Sequence, residues 1–305
     1  MFRYFIRRLG GAIPTLFLIT AASFFLMRLA PGGPFDKERR LPREIEENLR
    51  RAYHLDEPLW RQFLRYLNGL LHGDMGPSFK YKDHSVAELI AGGFPTSMQL
   101  GGAAILLALL IGLFLGIAAA FRQNSLVDYT ASGTSLVGIA IPSFVIAPIC
   151  TLVFGLYLGW TPVGGWGGFT HAILPVVVLC LPVIAAVTRL IRASMIEVLN
   201  SNFIRTARAK GMPERITLTR HAIRAALLPV VSYLGPAIAN TITGSIIVEQ
   251  IFSIPGIGRY FVQAATDRDY TLVMGVTIFY GAIIISCNLL ADLCYGFLDP
   301  KVRYD

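Results

Sequence analysis

Five histidines and nineteen acids are the side chains from which a catalytic or metal centre would have to be built. His54, His72 and His84 share one long hydrophilic segment, His171 opens an apolar run, and His221 lies in a cationic stretch. No His-Glu-x-x-His occurs, so a zinc-protease centre has no scaffold. Glu249 and Asp292 stand at the margins of apolar runs, where an ionisable group is read first as functional. They fall near the far ends of two successive runs, hence on opposite sides of a bilayer, and cannot pair as an intramembrane enzyme would require. Asn288 and Asp292 are one helical turn apart and suit a tie between helices. No Gly-x-x-x-x-Gly-Lys-Ser/Thr phosphate loop is present, nor any Gly-Lys dipeptide, so nucleotide chemistry would belong to another chain. The expectation is no catalytic residue, no metal site and no cofactor.

The stretch whose residue types do point to a role is Asn202 to Gly211. It carries Arg205, Arg208 and Lys210, no acid, and mostly helix-forming residues, between two apolar runs. Such a segment belongs on the cytoplasmic face of a membrane. Ser201 or Asn202 suits a helix N-cap, Gly211 a C-terminal stop, and Pro213 blocks continuation. On a helix, Phe203 and Ala207 share one face while Arg205 and Arg208 point roughly opposite. A second helix is expected from Pro213-Glu214 through His221 toward Leu228. Charge alone also allows a plain solvated loop.

The elements that must position this stretch are read from composition. Of 305 residues, 54% are hydrophobic and 15% charged, against about 25% charged in soluble domains. The net charge of +8 could suggest nucleic acid, but no basic stripe with interleaved aromatics appears, and no nucleic-acid partner is expected. Six apolar runs are near the roughly 20 residues that cross a bilayer: Leu9–Met27, Met98–Phe121, Ala131–Leu158, Ala172–Ile191, Leu227–Val248 and Thr271–Phe297. The fold class is therefore an all-α integral membrane protein with about six transmembrane helices in contact with lipid. Pro14, Pro142, Pro148, Pro175, Pro182 and Pro236 are expected to kink these helices, not to break them. Arg3, Arg7 and Arg8 before the first run resemble a signal peptide, but the run is long and Arg28-Leu29-Ala30-Pro31 is a poor cleavage site. Cys150, Cys180, Cys287 and Cys294 all lie in apolar runs and read as packing residues.

With the N-terminus inside, the inner segments hold fourteen Lys and Arg and the two short outer loops hold two, Arg259 and Arg268. Both termini are therefore expected in the cytoplasm. The chain divides into a tail and first span (1–29), an external helical region (30–95) and a five-helix core (96–305) with a cytoplasmic loop at 192–226. In the external region, Pro42 to Tyr53 reads as one amphipathic helix, with Pro at its start and acids in its first turn. Pro58 to Leu71 reads as another, with Leu59, Phe63, Tyr66, Leu67 and Leu70 as its stripe. Gly73 to Pro77 is a turn. A cap over the span ends and a docking surface both remain open as its role.

Two patterns lie within the spans. Ala104, Ala108, Gly112, Gly116 and Ala120 recur every four residues and allow another helix to approach closely. Asn240, Thr241, Thr243 and Ser245 cluster on the fifth run. They are candidates for the lining of a water-filled path, with interhelical hydrogen bonding as the equal alternative.

Arg205-Thr206-Ala207-Arg208-Ala209-Lys210-Gly211, followed by Arg220-His221-Ala222-Ile223-Arg224-Ala225-Ala226-Leu227-Leu228-Pro229, resembles the coupling loop of ABC-importer permeases. The wider family writes Glu-Ala-Ala, three residues, Gly, nine residues, Ile-x-Leu-Pro. Here Arg205-Thr206 replaces Glu-Ala, Ala226 stands at the Ile position, and Leu228-Pro229 comes five residues late. That departure suits the peptide and nickel branch. So do Leu29-Ala30-Pro31-Gly32, Gly73-Asp74-Met75-Gly76-Pro77-Ser78, and Val248-Glu249-Gln250-Ile251-Phe252 with Pro255-Gly256-Ile257-Gly258. Phe79 to Asp83 and Gly244-Ser245 lean toward the B-type oligopeptide permeases, with dipeptide or nickel permeases as alternatives. The resemblance implies a type I importer fold in a bacterial inner membrane and a heterodimer with a second permease. It further implies two ABC ATPases below, a peptide-binding protein outside and a peptide substrate. Phe203, Arg205, Thr206, Ala207, Arg208, Ala209, Lys210 and Gly211 would then contact an ATPase.

Overall fold

The computed structural model describes residues 2–29, 47–48, 51, 54–81 and 83–298. These are almost wholly helical. The first apolar run forms α1, Phe2–Leu29. The helix expected over Pro42 to Tyr53 falls largely outside the described residues. The next is α2, Leu59–Leu71. Its Phe63 ring packs 5.1 Å from Phe24 and 5.4 Å from Phe25, and Tyr66 lies 6.3 Å from Phe24, so the helix rests on α1. Leu59, expected in the same stripe, stays exposed. The expected turn follows, with Gly73 and Gly76 both at positive φ.

α3 runs from Val86 to Phe121, beginning twelve residues before the expected Met98. Its start is a capping box. The Glu88 N–H donates to Ser85 Oγ, and the Ser85 N–H donates to the Glu88 carboxylate. At 1.5 Å per residue the helix is about 54 Å long, well over a ~30 Å hydrocarbon core.

The third run departs from expectation. α4, Leu126–Ala140, and the following helix, Ser143–Cys150 continued by a π-helical turn Thr151–Tyr157 (together α5), meet at 101°. Pro142 caps α5 with φ −61° and ψ 144°. It breaks the span and does not merely kink it. Pro14, Pro148, Pro175, Pro182 and Pro236 remain inside helices.

α6, Phe169–Leu199, lies against α3. Next come α7, Asn202–Ala209, and a helix that opens at Glu214–Ile216, passes through a π-helical stretch Thr217–Ala222 and ends at Ile223–Ala226 (together α8). α9 is Leu228–Ile251, α10 Ile257–Asp267 and α11 Tyr270–Leu298. Among the described residues, five helices are long and apolar enough to cross a membrane, or six with the bent pair. The end that carries α7 and α8 is called basal here, and the end that carries α2 and α10 distal.

The small-residue stripe explains the tightest contact. Ala104 and Ala108 are fully buried, and Ala120 nearly so. A Cβ on Gly112 would lie 2.9 Å from Val187, and one on Gly116 would lie 2.2 Å from Ile191 Cγ2 and 2.5 Å from the Thr188 carbonyl. The Thr188 hydroxyl donates to the Gly112 carbonyl at 3.3 Å. Backbone thus meets backbone, as small residues permit without a hydrophobic driving force in lipid. At the basal end Arg8 pairs with Asp292 at 2.6 Å, tying α1 to α11.

Candidate coupling loop and translocation face

α6 ends at Asn200, whose side-chain amide donates to the Ile196 carbonyl. Ser201 then takes an extended conformation (φ −72°, ψ 155°) and turns the chain. It occupies the N-cap position of α7, but its hydroxyl donates back to the Val198 carbonyl at 2.6 Å and caps nothing. The C-terminus of α7 is as the residues require. Gly211 has φ +75°, its N–H donates to the Arg208 carbonyl, and the Met212 N–H donates to the Ala207 carbonyl. That pair of bonds is a Schellman stop, and the left-handed position is where glycine costs least.

The faces of α7 divide differently from expectation. Ile204 is 0% exposed and Ala207 is also buried; both point into the bundle. Ile204 joins the core cluster that holds Ile191, Met195, Ala222 and Ala226, so α7 is pinned onto α6 and α8. Phe203 is 49% exposed and does not share the environment of Ala207. Arg205, Thr206, Ala209, Lys210 and Gly211 are exposed. Ile204 was legible as the apolar i, i+3 partner of Ala207, a pattern masked by the surrounding cations.

Arg208 is exposed but occupied. It forms a two-point bridge to Glu214, Nη2–Oε1 2.6 Å and Nε–Oε2 3.2 Å, joining α7 to the start of α8. The hydrogen bond and charge of Arg208 hold the Glu214 carboxyl below its ordinary value, and Glu214 raises Arg208 in return. The outward face of α7 therefore presents Phe203, Arg205, Ala209 and Lys210, joined by the exposed Ile216 of α8.

A second basal tie was not foreseen. Arg192 of α6 grips Asp128 of α4 through Nη2–Oδ2 at 2.7 Å and through Nε, and the Asn124 N–H donates to the same carboxylate. It fixes α4 to α6 two turns before α6 ends. An isolated acid and arginine sixty-four residues apart carry no local pattern that would announce them.

The four polar residues of α9 split into two sets. Thr241 and Ser245 are buried, and their hydroxyls donate to the Ala237 and Ile242 carbonyls of their own helix. Asn240 is exposed and Thr243 half-exposed. They lie on an open stripe with Ser232, Pro236, Ile247 and Gln250. The bundle brings Asn240 and Thr243 to one face and turns Thr241 and Ser245 away from it.

Long helices crossed at small residues, a span broken at its centre, and a short helix clamped across the base define an all-α membrane permease of type I ABC-importer architecture. The chain belongs to the binding-protein-dependent transport system inner membrane component family, whose model matches residues 112–304, while the companion N-terminal model matches residues 1–101. It is thus a multi-pass inner-membrane component. It is 52% identical over 306 residues to the oligopeptide transport system permease protein OppB of Salmonella typhimurium, covering 100% of both chains. It is 42% identical over 303 residues to the dipeptide transport system permease protein DppB of Bacillus subtilis, covering 99% of this chain and 98% of that one. The fold is shared with a chain of the MetNI methionine ABC transporter, solved in inward-facing conformations, at TM-score 0.57 and 15% identity over 70% of this chain and 97% of that one. It is also shared with a chain of an amino acid ABC transporter at TM-score 0.54 and 19% identity, over 68% and 93%.

Proposed function

We propose that this chain forms half of the translocation pathway of an ATP-driven oligopeptide importer and takes its drive from cytoplasmic ATPases through α7. The observation that carries the reading is α7 itself. An eight-residue helix is too short to be stable alone, yet buried Ile204 anchors it to the bundle and a Schellman stop fixes its end. A rigid knob on the base converts the movement of a partner into rocking of the whole bundle. Its outward face, one large aromatic among cations, suits an apolar socket with acidic margins.

Full-length identity to the oligopeptide permease of Salmonella typhimurium supports that cargo. The proposed assembly has a second permease, two ATPases and an external peptide-binding protein, with both termini and the basal end in the cytoplasm. Asn240 and Thr243 are proposed to line the path, where short polar side chains touch peptide backbone weakly. The test is reconstitution of the five-subunit complex in proteoliposomes and measurement of labelled peptide uptake. Uptake of peptides longer than two residues is expected. The relative from Bacillus subtilis motivates the second reading, and uptake confined to dipeptides would favour it.

A further inference from the structure

The segment Val248 to Gly258 forms a clamp at the distal end that coupling at the base does not use. Glu249 is 0% exposed on α9. Its carboxylate accepts the Gly258 N–H at 2.8 Å, and the Ser245 hydroxyl lies 2.7 Å from the other oxygen. The Ile257 N–H donates to Ser97 Oγ of α3 at 2.9 Å. The first two N–H groups of α10 are thus satisfied by side chains from two different transmembrane helices. Orphan N–H groups at a helix start need such partners when buried.

The glycines fit this arrangement. A Cβ on Gly256 would lie 2.3 Å from Glu249 Oε2 and 2.6 Å from Ser97 Oγ, and one on Gly258 would lie 2.4 Å from Ile246 Cα. At its other end α10 is held by Tyr81, whose hydroxyl donates to Gln263 at 2.6 Å. Just beyond it, the Ser78 hydroxyl and the Lys80 N–H donate to Asp269, and the Thr271 hydroxyl donates to the Pro77 carbonyl. Ser97, Glu249 and these contacts make the distal ends of α3, α9 and α11 one block.

The hydrogens around Glu249 decide how the clamp works. Ser245 Oγ is 2.6 Å from the Ile242 carbonyl and 2.7 Å from Glu249 Oε1. A serine has one hydroxyl hydrogen and can serve one of these two acceptors. A glutamine at 249 keeps a partner at each of these contacts, using one of its two amide hydrogens. Its carbonyl accepts the Gly258 N–H, its amide donates to Ser245 Oγ, and the serine hydroxyl is left for Ile242. We infer that Glu249 is a positioning residue for transport that anchors α10 between α3 and α9 through shape and hydrogen bonding, not through negative charge. With the anchor lost, movement delivered at the base is absorbed by separation of the distal block.

The experiment rests on the importer reading for one arm only. In the reconstituted complex, peptide moved per ATP hydrolysed is compared for wild type, Glu249→Gln and Glu249→Ala. Glu249→Gln is expected within about twofold of wild type, and Glu249→Ala about tenfold lower per ATP, because the latter strands the buried Gly258 N–H. A mere loss of folded protein lowers uptake and hydrolysis together and leaves that ratio unchanged. The second arm needs no cargo. Ala264→Cys on the buried face of α10, with the four native cysteines replaced by alanine, is labelled with an impermeant maleimide. Labelling is expected to rise about tenfold in Glu249→Ala and to stay within about twofold in Glu249→Gln. Where Glu249→Ala does not assemble, Ser97→Ala removes the other cap and is expected to act in the same direction. The inference is overturned if Glu249→Gln matches Glu249→Ala, since charge would then carry the clamp. Unchanged ratio and labelling in the alanine variants overturn it equally. If wild type moves no peptide, the cargo reading fails while the labelling arm still decides the clamp.

Discussion

Ile204 and Phe203 are neighbours in sequence with opposite environments, and their alanine variants should separate anchoring from contact. Ile204 is 0% exposed among Ile191, Met195, Ala222 and Ala226. Truncating a fully buried aliphatic costs about 2–4 kcal/mol, from lost transfer energy and the cavity left behind. Little else holds α7, because the Arg208–Glu214 bridge is exposed. The penalty should therefore appear as local opening of α7, shifting that equilibrium by about thirty- to a thousandfold. Phe203→Ala removes a side chain that the chain itself leaves half-exposed, and should change stability by no more than about 0.5 kcal/mol.

The assay has two readouts on the assembled complex. Hydrogen exchange of the 202–209 amides should accelerate strongly in Ile204→Ala and stay near wild type in Phe203→Ala. Substrate-stimulated ATP hydrolysis and uptake should fall in both, since one variant loosens the knob and the other blunts it. If Phe203→Ala retains full stimulation, the outward face of α7 is not the contact. If Ile204→Ala opens α7 yet transports normally, rigidity of the knob is irrelevant and the coupling argument fails.

Three further outcomes follow from the geometry. Cysteines at His84 and Lys210 should label from opposite sides of intact cells, His84 from outside; external labelling at Lys210 would reverse the orientation drawn from the cation bias. Gly116→Val places side-chain atoms where a Cβ alone already lies 2.2 Å from Ile191, so folded yield should drop sharply in detergent, by more than the ~1–3 kcal/mol of ordinary overpacking; a normal melting curve would contradict the close crossing of α3 and α6. Cysteines at Asn240 and Thr243 should react with small aqueous thiol reagents during turnover while those at Thr241 and Ser245 stay protected; the opposite pattern would put the path on another face.

What could be read from the residues depended on whether the signal was local. Apolar runs marked the spans apart from the broken third, the every-fourth small residues marked a close crossing without naming α6 as the partner, and Gly211 with Pro213 marked the end of α7, because each is settled within a few residues. The Asp128–Arg192 tie and the Ser97–Ile257 cap join positions far apart in sequence, and only the packed bundle brings them together. Pro142 shows the same limit within one helix. Proline removes one N–H wherever it stands and disfavours helix in the residue before it. In α6, Pro175 is buried and Pro182 exposed, and the helix continues past both. Around Pro142, Leu136, Ile139, Ile141, Phe144 and Ile149 are all exposed on the chain. There the same residue type turns the span by 101°, although Gly138 on one side packs against Leu181 and Ala147 on the other is fully buried. Exposure alone does not decide between kink and break, since Pro148, Pro182 and Pro236 are exposed and their helices continue.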